Sequence, residues 1–308
     1  MPDRRRSPPE RFAAALADRY AIERELSHGE AAAVYLARDL KHGRAVAIKV
    51  LLGPADRSLE AARFGREIEL VAGLQHPHVL PLYDSGEAGG QRYFVMPYVA
   101  GETLRARLAA GPLPPAEALR VAAEVADALG HAHAAGVVHR DVKPENVLLT
   151  GAPPRPASAG APAPSAGAGH ALVCDFGVAR LAEARAAADD RRAVTLTHTG
   201  HTVGTLAYMA PEQASADPVL GPPADVFALG VVVYEALTGH VPHADAHPPI
   251  EALRLRLTGP PPALGGRVPG LPRAAARELD AVLARAMAPD PAARYATAAE
   301  LVGPLHEA

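Results

Sequence analysis

The chain has 308 residues, 49% of them hydrophobic, with a formal charge of −3 and a sequence pI near 6.5. That length can bury a full core as one large domain or two closely packed lobes, and the near-neutral balance gives no electrostatic drive toward nucleic acid. Cys174 is the single cysteine, which excludes an intrachain disulfide and a paired-cysteine metal site and suits a reducing cytosol.

The basic N-terminus, MPDRRRSPPERF, has no apolar stretch behind it and so does not read as a secretion signal. The longest apolar run, 227–234, falls far short of the roughly 20 residues needed to span a bilayer. The expectation is a soluble, cytoplasmic chain with no membrane segment. Only three of the 31 basic residues are lysines (Lys41, Lys49 and Lys143), and Asn146 is the single asparagine. A sequence so poor in these types is expected to keep them where Arg or Asp cannot substitute.

In chain order, residues 1–18 read as a flexible arm ending in a short helix over 10–18. From Tyr20 to about Val99 the pattern is strand-rich: 31–36 and 45–51 as strands, 63–74 as a helix, then 80–83 and 93–99 as extended segments. After Gly101 the character changes to alanine-rich helices over 115–135, 224–237, 250–257, 274–287 and 297–305. Residues 151–169, GAPPRPASAGAPAPSAGAG, have no aliphatic residue larger than Ala and read as a disordered insertion at a hairpin tip between strands 147–149 and 171–174. The fold class is α+β, a small β-rich lobe (19–99) followed by a larger helical one (101–306).

Three segments carry chemistry. In Val46-Ala47-Ile48-Lys49-Val50-Leu51, strand alternation puts Ala47, Lys49 and Leu51 on one face. A lysine among apolar strand residues needs an anionic partner, and Glu67 is a carboxylate on the apolar stripe of the next helix, beside Phe64, Ile68 and Val71. Upstream, Leu26-Ser27-His28-Gly29-Glu30 is a turn whose backbone N–H groups could fold over a phosphate, ahead of Val34. In residues 137–149, two apolar runs flank a polar loop holding Asp141, Lys143 and Asn146. Such a loop offers a carboxylate to accept a proton, a cation to neutralise phosphate and an amide oxygen for a hard cation. Asp175-Phe176-Gly177 closes another apolar strand and adds a second oxygen ligand.

VAIK (46–49), HRDVKPEN (139–146), DFG (175–177) and APE (210–212) resemble, in order and spacing, the protein-kinase signature set, and the chain looks most like the bacterial serine/threonine kinases of eukaryotic (Hanks) type. The resemblance implies a two-lobed kinase fold over 19–306. It also implies transfer of the ATP γ-phosphoryl group to Ser or Thr hydroxyls of protein substrates, with Mg²⁺ (or Mn²⁺) as the metal. Lys49 would hold the α/β-phosphates with Glu67 positioning it, Asn146 and Asp175 would bind the metal, and Asp141 would take the substrate proton beside Lys143. Thr205 would bridge Asp141 and Lys143. Leu26, Ser27, Gly29 and Val34 would cover the nucleotide. Met96 would stand as gatekeeper before the hinge residues Pro97 and Val99, and Ala47 and Leu148 would sandwich adenine.

The same resemblance gives Asp225 a bracing role under the catalytic loop and pairs Arg294 with Glu212. Ser27 and Ala32 stand where the family has its first and third loop glycines, so an ATP-binding pseudokinase scaffold is the alternative. His131 and His133, two apart on a helix, point away from each other and are expected to pack rather than bind metal. Four threonines within 193–202, with Thr197 and Thr199 foremost, together with Arg140 before Asp141, point to switching by activation-loop phosphorylation, through a transient homodimer.

Overall fold

The computed structural model describes residues 10–29, 32–52, 68–151, 169–176, 205–215 and 220–307. The described residues fall into two compact units, one holding residues up to Gln75 together with Leu80–Val99, the other holding His76–Val79 and the residues from Ala100 onward.

The first unit is a five-stranded antiparallel sheet ordered β1-β2-β3-β5-β4, from β1 (Tyr20–His28), β2 (Ala32–Asp39), β3 (Arg44–Leu51), β4 (Asp84–Ala88) and β5 (Gln91–Pro97). Val46, Ile48 and Val50 of β3 are fully buried on one face with Tyr35 and Val95, while Lys49 and Leu51 are half-buried on the other. The period of two thus places the β3 lysine away from the main apolar layer. Helix α1 (Glu10–Leu16) covers that layer, with Phe12 and Leu16 buried in it and the Phe12 ring edge-on to Tyr93 at 5.9 Å. The short helix expected over 10–18 spans Glu10–Leu16, and two large apolar side chains one helical turn apart are enough to dock it on the sheet; residues 1–9 lie outside the described residues. Residues 80–83, expected to be extended, lie outside the strands. The edge strand begins at Asp84 and is set by pairing with β5 rather than by its own composition.

The second unit carries a small antiparallel sheet, β6 (Gly101–Thr103), β7 (Val147–Thr150) and β8 (Ala171–Val173), with Val79 bridged in parallel to Val173. Around it stand α2 (Leu104–Leu108), α3 (Pro115–Ala134), α4 (Pro211–Ala214), α5 (Pro222–Thr238), α6 (Pro249–Thr258), α7 (Arg273–Ala286) and α8 (Ala299–Glu307). Pro115 and Pro222 occupy first turns, where no N–H is missed, and Gly239 ends α5 in the left-handed region with its N–H on the Glu235 carbonyl. Helix α5 is buried from Ala224 to Leu237, which makes it the centre of the unit's core. Helix α8 packs on α3 at Gly130, where a Cβ would lie 2.7 Å from the Ala299 Cβ. The hairpin β7–β8 brackets the Pro/Ala-rich stretch, of which 152–168 lies outside the described residues.

Candidate active site

The loop between Val138 and Val147 is held from below by α5. Asp225, fully buried, accepts hydrogen bonds from the backbone N–H groups of His139 (2.8 Å) and Arg140 (2.7 Å), and its Oδ2 lies 2.8 Å from Nε2 of His133. A loop whose own N–H groups cannot enter a ladder needs such an acceptor if it is to be buried. Arg140 and Asp175 both adopt positive φ (67° and 69°), a conformation uncommon outside glycine and the mark of a strained loop. Gln213 of α4 stabilises the turn by donating from Nε2 to the Arg140 carbonyl (2.8 Å) and accepting from the Ala210 N–H (3.0 Å).

The His139 tautomer follows from its partners. Nε2 lies 2.8 Å from the Cys174 carbonyl, which can only accept, so Nε2 carries the proton and Nδ1 accepts the Asp141 N–H at 3.2 Å. The ring thereby ties the loop to the strand end that carries Asp175, and it packs against Phe176 at 4.7 Å. Cys174 closes the same link by donating its N–H to the Asn146 carbonyl (3.0 Å).

At the loop's outer side Asp141 meets two partners. Lys143 Nζ lies 2.8 Å from Asp141 Oδ2, and Asn146 Nδ2 donates to the Asp141 carbonyl (2.7 Å) and to its carboxylate (3.0 Å). Because both acceptors lack protons, the amide nitrogen is fixed toward Asp141, and the Asn146 oxygen is the atom left to meet a hard cation. Asn146 is buried and Asp175 half-buried, an oxygen-only donor pair of the kind Mg²⁺ takes. Two of the scarce residues singled out in the sequence, Lys143 and Asn146, therefore converge here on Asp141, while Lys49 does not. That side chain belongs to the first unit, on β3, where Ala47 pairs with Met96, Val46 with Pro97 and Lys49 with Phe94 of β5. On β1 and β2, Ser27 pairs with Val34, and the Gly29 N–H closes the turn on the Ala32 carbonyl (2.9 Å). Leu26 is half-buried in β1, Val99 follows β5, and Leu148 lies half-buried in β7. Glu67, Gly177, Thr197 and Thr199 lie outside the described residues, and of Thr205 the structure describes the backbone, in a 3₁₀ turn over Thr205–Ala207.

Two supports sit further out. Arg294 spends all five N–H donors: Nη1 and Nη2 form a fork on Glu212 (2.7 and 2.8 Å), and the rest go to the carbonyls of Ala288, Pro289 and Pro223. Its guanidinium also lies 4.9 Å over the ring of Phe227. The second support is one that sequence reasoning missed. Arg105 of α2 bridges Glu145 of the catalytic loop (2.8 Å) and Glu235 of α5 (2.7 Å), and donates to the Tyr208 hydroxyl, which in turn donates to Glu235. Burial pulls the Arg105 pKa down, but the hydrogen bonds to Glu235 and Glu145 outweigh it and the net shift is upward. Burial raises the Tyr208 hydroxyl, and the Glu235 carboxylate raises it further. Arg105 therefore stays charged and Tyr208 stays protonated throughout the working pH range.

The family description "Protein kinase domain" matches residues 20–301. The serine/threonine-protein kinase PknJ of Mycobacterium tuberculosis is 38% identical over 283 residues, covering 91% of this chain and 44% of PknJ. PknD of the same organism is 39% identical over 295 residues (94% of this chain, 39% of PknD), and PknB of Mycobacterium leprae is 37% identical over 293 residues (93% and 42%). The chain thus spans less than half the length of these relatives. The crystal structure of the Mycobacterium tuberculosis PknI kinase domain superposes with a TM-score of 0.66 at 31% identity, covering 94% of this chain and 95% of that one. Signature residues, loop geometry and these likenesses agree, and the chain belongs to the protein-kinase family, among the bacterial serine/threonine kinases of Hanks type.

Proposed function

We propose that this domain transfers the γ-phosphoryl group of ATP to serine or threonine hydroxyls of protein substrates. The observation that carries the reading is the Asp141 carboxylate, held at once by Lys143 and Asn146 on a loop braced by Asp225. In this reading Asp141 orients the incoming hydroxyl and accepts its proton, and Lys143 offsets the charge that builds on the transferred group. Asn146 and Asp175 hold the divalent ion, which when bound supplies charge neutralisation for the phosphates. From the first unit, Lys49 holds the α/β-phosphates with Glu67 setting its position. Leu26, Ser27, Gly29 and Val34 cover the nucleotide, and Ala47, Met96, Pro97, Val99 and Leu148 receive the adenine. Because ATP is a cytoplasmic metabolite, the domain works on that side of any membrane.

Control falls to the threonines ahead of Thr205. Phosphate on Thr197 or Thr199, added by a second copy of the kinase in a transient pair, gives Arg140 a multiply charged partner and orders the segment around Thr205. The test is incubation with radiolabelled ATP and a generic basic protein, beside Asp141→Asn. Label incorporated by wild type and lost in the variant supports catalysis, and equal labelling removes it. Mass spectrometry on the same samples reads the loop: an active enzyme with both threonines unmodified removes the switch.

A further inference from the structure

On one face of the second unit, helix α3 presents Arg120, Glu124, Asp127 and His131 at the i, i+4, i+7, i+11 spacing of a single stripe. The segment 76–79 and the residues entering β8 lie against it. His76 stacks on His131 at 5.0 Å with its Nε2 3.2 Å from Asp127, and His78 lies between His76 (5.7 Å) and His170 (5.8 Å). Within this face, one donor atom each from His78, Glu124 and His170 lie inside 4.8 Å of one another. We propose that these three residues form a binding site for a divalent transition-metal ion of the Zn²⁺ class, separate from the Asn146 and Asp175 pair.

The donors are prepared for a cation. His78 Nδ1 lies 2.9 Å from the Ala171 carbonyl, which can only accept, so Nδ1 carries the proton and Nε2 keeps a lone pair. A ring nitrogen on a backbone carbonyl is the usual outer partner of a metal-ligating histidine, because it fixes both tautomer and ring plane. Glu124 is held as well: Oε2 accepts the Ala171 N–H (2.6 Å) and Oε1 lies 2.8 Å from Arg120 and 3.5 Å from His170 Nδ1. A carboxylate offers about four acceptor positions, so two hydrogen bonds leave room for an ion. Ligands around tetrahedral zinc stand about 3.3 Å apart for bonds near 2.0 Å, so the cluster has to close by an ångström or so. His170, with its side chain 74% exposed, is the member able to move.

Two imidazoles and one carboxylate suit Zn²⁺, Ni²⁺ or Cu²⁺ better than Mg²⁺, which prefers an all-oxygen shell. Three protein ligands leave a fourth position for water. Arg120 is the opposing charge in the site and limits its affinity. The ion would fasten three stretches that are distant in sequence: residue 78, the middle of α3 and the strand entry at 170–171.

The experiment uses the untagged chain in Mg²⁺-free buffer, with Zn²⁺ titrated against a chromophoric chelator and Co²⁺ absorption reporting nitrogen and oxygen ligation. The expected result is saturable binding of one equivalent with a rise in Tm. His170→Ala and His78→Ala should each weaken binding at least about tenfold, the scale on which even outer partners act. Arg120→Gln should tighten it, and His240→Ala should leave it unchanged. His170→Ala alters an exposed side chain and keeps the test valid should His78→Ala not fold. Wild-type affinity in His170→Ala and Glu124→Gln, or absence of saturable binding, overturns the site. So does binding that is lost in Asp175→Asn but kept in His170→Ala, which would place the ion on the catalytic loop.

Discussion

Replacing Asp225 tests whether the catalytic loop is held by α5. Asp225→Ala strands three donors at once, namely the buried N–H of His139, the partly buried N–H of Arg140 and the Nε2–H of the buried His133. Each orphaned donor costs about 1–3 kcal/mol, or roughly 3–9 kcal/mol before relaxation. Removing a carboxylate from the interior returns part of this as regained solvation, so the net loss should approach the 3–5 kcal/mol typical of a broken buried pair. For a body of this size about 1 kcal/mol moves Tm by 2–4 °C, which predicts a fall of roughly 6–20 °C. Asp225→Asn keeps the shape but turns an NH₂ toward a backbone donor, and should fall in between. Urea unfolding gives the free energies, and a double-mutant cycle with His133→Ala isolates one contact, with an expected coupling of about 0.5–3 kcal/mol. An Asp225→Ala loss below about 1 kcal/mol, the level of an ordinary substitution, would refute the bracing role.

Asp141→Asn should leave Tm within a degree or two of wild type and lower phosphotransfer by about 10²-fold or more, checked by label incorporation at saturating Mg-ATP. Arg294→Lys keeps the charge but gives up the fork on Glu212 and at least two of five donors. The expected cost is about 2–3 kcal/mol by denaturant unfolding, and a change under 0.5 kcal/mol contradicts it. Gly130→Val has to push α8 from α3 at the 2.7 Å approach to Ala299, with an expected loss of about 1–3 kcal/mol. Arg105→Ala leaves the buried Glu235, among the described residues, facing Tyr208 alone. Discounted for a guanidinium about one-third exposed, the loss should be about 1–2 kcal/mol, with kcat reduced more than ATP affinity.

The parts of the site that were legible in sequence are those where one residue type alone does the chemistry. Lys143 and Asn146 stood out as survivors of a compositional purge, and both touch Asp141. The β3 alternation placed Lys49 on the face opposite Val46, Ile48 and Val50 because strand geometry has a strict period of two. What escaped was decided by tertiary contact. The α1 docking rests on Phe12 and Leu16, too few positions for a periodic pattern. Strand β4, DSGEA, has almost no intrinsic strand preference and exists through pairing with β5. Helix α2 is five residues long and begins on the Thr103 cap, so its Arg105 looked like one surface arginine among many. His78, Glu124 and His170 share no spacing signature, since the fold alone gathers them.

Arg294 and Glu212 are separated by 82 residues, and the rest of the arginine's cradle comes from carbonyls inside that span, Pro223 near its start and Ala288 and Pro289 near its end. During synthesis the Ala-Pro-Glu stretch leaves the ribosome long before its counter-charge exists. Until residue 294 emerges, a carboxylate destined for the interior waits in water, and the stretch it belongs to has no anchor. A nascent kinase domain can therefore have its β-sheet unit and catalytic loop already synthesised while this last clasp is still missing.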